Sequence, residues 1–195
     1  MRWHTARQCW HDCTFLSRPS VMAVAVENAN LGASVQKSNV RHDTTVHHVE
    51  SGMVQAAIST LPRHLRELGD WLYAPFTAEE RAHRVLPVAT IVNEHAGLEA
   101  LDPDPRTSHW MPLVIATLYE YARVVLGEDV QRRNGKAIRR WIFDELHLET
   151  RPWERQERRI YEQLWSAIND LDRQALVPVT RLLNKQRDKY KYKQT

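Results

Sequence analysis

From Trp153 to Leu183 the apolar residues recur as Trp153, Ile160, Leu164, Ile168, Leu171, Ala175, Val179 and Leu182. Every step is three, four or seven residues, which sets them all on one stripe of a 3.6-residue helix. The positions between are dense in Arg, Glu, Asp and Gln. Such a helix is not stable alone in water, so the rest of the chain has to supply the surface that covers its stripe. The stripe therefore predicts an all-α protein, a compact bundle of five or six helices. Composition agrees: 195 residues suggest one domain with something appended, or at most two small ones, and 43% hydrophobic content with seven Trp is ample for one core. Six Gly, and Asn134-Gly135 as the one clear hairpin dipeptide, weigh against an all-β fold.

The periodic signal begins abruptly near Met53. Before it, Trp3, Cys9, Trp10, Cys13 and Phe15 fall in no sustained period, and residues 27–50 are mostly polar. The expected organisation is a poorly ordered leader over 1–52, a helical domain over 53–188 and a short basic tail over 189–195. On this reading the leader lies outside the folded protein, with Met22 or Met53 as alternative translation starts to Met1.

Helix punctuation after Ser51 is regular. A short segment is expected over Met53–Ile58, followed by a helix capped by Thr60, with Pro62 early in it and Leu61, Leu65, Leu68 and Leu72 as its stripe. Thr77-Ala78-Glu79-Glu80 is a capping-box pattern. The helix it opens carries Ala82, Val85, Ala89, Val92 and Ala96 on one side and stops at Gly97. Pro87 leaves that period unbroken, which predicts a kink and not a break. Thr107 or Ser108 introduces a very apolar helix, Met111–Leu126, ended by Gly127. A further helix is expected over Lys136–Leu146, with Ala137, Ile138, Trp141, Ile142 and Leu146 facing inward. Thr150 caps the last. Unbroken from Pro152 to Arg187 it would span about 54 Å, so it either bends at Pro178 or projects its basic end, and the register across Pro178 favours a kinked helix.

Motifs for bond-making chemistry are absent: there is no Gly-x-Ser-x-Gly, P-loop or dinucleotide fingerprint. No catalytic residue, metal ligand or cofactor is therefore assigned. Four patterns come nearest. His4, Cys9, His11 and Cys13 are zinc-ligand types close together, but a matching second pair would have to come from His42, His47 or His48 at irregular spacing. Glu80–His83 and Asp144–His147 are carboxylate–imidazole pairs at i, i+3 that lack the partner Glu residues of a helical di-metal site. Glu94-His95 stands at a helix end, where the dipole favours His in any case.

Charge is more informative. The net charge of +3 is small, but residues 181–195 carry six Lys/Arg against one Asp, a local +5. Arg132, Arg133, Lys136, Arg139 and Arg140 place five cations within nine residues, with no acid among them. In the tail, Lys185, Arg187, Lys189, Lys191 and Lys193 interleave with Tyr190 and Tyr192. Cations bind phosphate and aromatics stack on bases, so these ten cations are the expected nucleic-acid contacts. Trp165 neighbours the apolar stripe and Trp110 precedes its helix; they are the candidates for a partner or dimer surface, while burial at the stripe's edge is the favoured outcome for each.

The function these features point to is a small non-enzymatic accessory or regulatory protein acting on nucleic acid or on a nucleic-acid-bound complex. The alternatives are a helical protein–protein interaction module, homodimeric in one form, and a metal-dependent enzyme. The longest apolar run near the start, Val21 to Val26, is six residues, too short for a secretory core of roughly 7–15 or a membrane span of roughly 20. The expectation is a cytoplasmic protein with no membrane partner.

Overall fold

The computed structural model describes residues 5–17, 41–98, 110–127, 140 and 155–191. Among these the chain is all-α, with six helices and no strand: α1 (Ala6–Ser17), α2 (Arg41–Ser59), α3 (Arg63–Tyr73), α4 (Ala78–His95), α5 (Met111–Val125) and α6 (Arg155–Lys191). None of them is long and apolar enough to cross a membrane. The expected helix over Lys136–Leu146 lies outside the described residues, apart from helical Arg140.

Two compact units divide the chain. In the first, α1, α2 and α3 share a core with the last part of α6, from Ala175 onward. Trp10, Leu68, Trp71, Leu72 and Val179 are its fully enclosed centre. Here the N-terminal stretch departs from expectation. Residues 6–17 form a helix whose Cys9, Trp10 and Cys13 are wholly buried, and α2 begins at Arg41 where the spacing predicts only Met53–Ile58. Cysteine behaves as a small hydrophobe, and counting Cys9 and Cys13 as such completes the i, i+1, i+4 face around Trp10.

That face seats on α3. Trp10 Nε1 donates to Asp70 Oδ1 at 3.0 Å, Arg7 Nε donates to Tyr73 OH at 3.0 Å, and the Trp10 and Tyr73 rings lie 6.0 Å apart. Gln55 Nε2 of α2 donates to the Cys13 carbonyl at 3.1 Å. Gly69 is required by this fit, because an added Cβ would collide with the six-membered edge of the Trp10 indole.

Burial pushes the Cys9 and Cys13 thiols up to about 12. A thiol raised in the folded state contributes stability that is fully present below the unfolded value near 9 and is lost as pH rises toward about 12. Labelling by a thiol-reactive disulfide at about pH 8 is therefore expected to be slow in the native protein and to reach both thiols in denaturant. Rapid labelling of the native chain would contradict the burial of α1.

The second unit holds α4, α5 and the first part of α6, through Gln174. Thr77 opens α4 with the expected capping box: its hydroxyl accepts from Glu80 N at 3.2 Å while Glu80 Oε2 accepts from Thr77 N at 2.8 Å. Gly97 and Gly127 end α4 and α5 with φ of +69° and +77°, the left-handed region that a Cβ disfavours. Both prolines inside helices are tolerated without a break in α4 or α6. α6 runs through 37 residues.

Several local expectations shift. Thr60 does not cap α3; its hydroxyl donates back to the Ala57 carbonyl at 2.7 Å, and the N-cap is Pro62, with no side-chain bond. Trp110 stands at the N-cap of α5 with no side-chain bond, and Thr107 and Ser108 lie outside the described residues. On α4 the buried arc is Val88, Ala89, Val92, Asn93 and Ala96, while Ala82 is exposed and Val85 half-buried. At the end of α6 Leu183 is buried and Leu182 only half so. Both leucines lie within a turn's reach of Val179, and tertiary packing selects between them.

Candidate functional site

Two places carry chemistry beyond the plain core. The first is the last stretch of α6. Ala175, Val179 and Leu183 descend at i, i+4, i+8 into the first unit, so the same helical period turns Arg181 and Lys185 to solvent. Arg187 is exposed as well. Lys189 and Lys191 fall in the final helical residues, and Lys193 lies outside the described residues. Arg132, Arg133, Lys136 and Arg139 also lie outside them, and Arg140 is exposed. Of the ten expected contacts, Lys185 and Arg187 on α6 and Arg140 are the ones seen to be exposed.

Cations at this position also complement the negative end of the helix dipole. That role is electrostatic support of α6 itself. It needs only charge within the last turn, whereas Arg181 stands well before the end of the helix at Lys191.

The second place is a polar and aromatic cluster in the second unit, which the apolar spacing alone does not reveal. Asp172 is completely buried, and its Oδ2 accepts from the Tyr121 hydroxyl at 2.8 Å. The same hydroxyl lies 3.4 Å from Asn169 Oδ1. Trp165 meets Tyr121 edge to face, with centroids 5.2 Å apart, and Tyr161 at 6.2 Å. Trp165 is half-buried by these contacts, and Trp110 is half-buried at the start of α5. On α5, next to Tyr121, buried Glu120 accepts from Arg123 Nη2 at 2.7 Å and Nε at 3.2 Å. A signal for Asp172 did exist: it follows Ile168 by four residues and precedes Ala175 by three, so a carboxyl sits inside the apolar arc.

Glu94 and His95 do not form a base pair of the catalytic kind. His95 Nε2 lies 3.2 Å from Asp170 Oδ2 on the surface, and Gln174 Nε2 donates to the same oxygen at 2.9 Å. Gln163 Nε2 donates to the Ala96 carbonyl, satisfying one of the groups that the end of α4 leaves over. This is a helix-end brace. Glu80 is engaged in the capping box, and His83 lies 3.8 Å from Glu79 on an exposed face.

Around α1, Cys13 Sγ donates to the Trp10 carbonyl at 3.1 Å and His11 Nδ1 pairs with Asp12 at 3.1 Å. Among the described residues no group of three or more His, Cys, Asp or Glu converges as a metal site would require. His4 and Asp144–His147 lie outside them. No family model, curated protein or solved structure matches this chain.

Proposed function

We propose that the chain is a small non-enzymatic accessory or regulatory protein of the cytoplasm that engages nucleic acid, or a complex bound to it, through the basic end of α6. The observation that carries this reading is the division of that helix end. Val179 and Leu183 are buried while Arg181 and Lys185 are exposed, so the cations are presented on an ordered scaffold. Residues 181–195 hold a local +5, enough for several phosphate contacts, and Tyr190 and Tyr192 supply rings for stacking. Residues 132–140 contribute a second set of cations to the same task.

Neutralising Arg181, Lys185 and Arg187 together (R181Q/K185Q/R187Q) tests it by fluorescence anisotropy with a short labelled duplex and a single-stranded RNA. At ~50 mM salt the triple variant is expected to bind at least roughly tenfold more weakly, with its salt slope reduced by about 2.7. Its melting temperature stays near that of the parent, since all three residues are exposed. Unchanged binding in a folded variant would remove the end of α6 from the account.

A further inference from the structure

A second surface of the first unit is not explained by phosphate. From Val49 to Ser59 the buried side of α2 is Glu50, Ser51, Val54 and Ile58. The opposite side exposes Val49, Gly52, Met53, Ala56 and Ser59, without one charged side chain. Val49 is 61% and Met53 41% exposed. Solvent-facing helix surfaces ordinarily carry charge, and here the only acidic side chain of the segment is turned inward. The Cβ that Gly52 lacks would meet nothing within 4 Å, so the helix surface between Val49 and Met53 in sequence is open at this position.

This uncharged face adjoins the basic end of α6. Gln186 Nε2 donates to Met53 Sδ at 3.5 Å, and its chain neighbour Lys185 is exposed. From this juxtaposition we infer that α2 docks an amphipathic helix of a partner protein whose apolar stripe is flanked by Asp and Glu. The stripe packs on Val49, Met53 and Ala56 with a ridge over Gly52, and the acids meet Lys185 and the cations beyond it. A second copy of the chain fits less well, because a two-fold pairing on this face draws two cationic ends together. A membrane surface is disfavoured too: interfacial helices sink Trp, Phe and Leu, and this face has none. The inference shares Lys185 with the nucleic-acid reading but goes beyond it, since its packing rests on the apolar side chains of α2, which phosphate does not touch.

The test uses the full chain and two synthetic amphipathic helices of about 18 residues, roughly five turns, with the same Leu stripe, one flanked by Glu and its twin by Lys. Anisotropy is expected to show the Glu-flanked peptide binding at least roughly tenfold more tightly. V49E/M53E and its uncharged counterpart V49S/M53S should both lose that binding while keeping the helical circular dichroism of the parent, and V49S/M53S should also keep the parent's nucleic-acid affinity. K185E should erase the preference between the twins. Equal binding of the twins, or none of either, overturns the inference. So does co-sedimentation with phosphatidylserine vesicles that V49E/M53E abolishes, or a dimer in sedimentation equilibrium that the same variant dissociates.

Discussion

Replacing Trp10 by Ala is expected to cost the first unit about 3–5 kcal/mol, read as a fall in the midpoint of urea unfolding. The indole is fully buried, and its Nε1 donates to Asp70 at 3.0 Å. Its removal opens a cavity against Gly69 and takes away the Asp70 partner at once. The converse change, Gly69→Ala, is expected to cost about 1–3 kcal/mol by overpacking, because the new methyl occupies the space of the indole edge. The two effects are not independent. In a Trp10→Ala background the added methyl at position 69 has room, so its cost should largely vanish, a coupling that only direct contact produces. A change below about 1 kcal/mol for Trp10→Ala would mean that α1 does not belong to the folded unit.

The second large effect concerns the polar cluster of the second unit. Tyr121→Phe keeps the ring on Trp165 and deletes the hydroxyl that donates to Asp172 at 2.8 Å. A buried acceptor that loses a donor costs about 1–3 kcal/mol. Asp172→Asn keeps the volume of the acceptor side chain and changes only its chemistry. The pair is expected to couple, so that Tyr121→Phe costs less in the Asp172→Asn background than in the parent. Strictly additive losses in thermal unfolding would show that the bond between α5 and α6 contributes nothing specific.

These two sites show what the sequence could and could not reveal. The stripe of α6 was legible because Ile160, Leu164, Ile168, Leu171, Ala175 and Val179 obey one period and all prove buried. The capping box at Thr77 and the stops at Gly97 and Gly127 were equally legible, since each is a local backbone requirement. α1 was not. Its face is made of two cysteines and one tryptophan, which resemble metal-ligand types and a stray aromatic, and its partner Gly69 lies far along the chain. α2 extends further than its spacing suggests for a related reason: Glu50 and Ser51 look like solvent positions but are buried, so the apolar count misses the turns before Met53.

The Tyr121–Asp172 bond spans 51 residues of sequence, and no spacing rule pairs residues at that distance. On α6 the choice between Leu182 and Leu183 was likewise beyond periodicity, because a step of three and a step of four from Val179 both stay on the stripe. The cations of the candidate surface were legible as composition. Which of them the helix turns outward was not, because that depends on Val179 and Leu183 facing the core.

The salt dependence of nucleic-acid binding by the full chain tests the central functional claim most directly. With about five phosphate contacts from the end of α6 and more from residues 132–140, the affinity for a short duplex should fall at least roughly 500-fold between ~50 and ~200 mM salt, a log–log slope of about −4.5 or steeper. Absence of measurable binding to both DNA and RNA at ~50 mM, where such contacts are strongest, would contradict it.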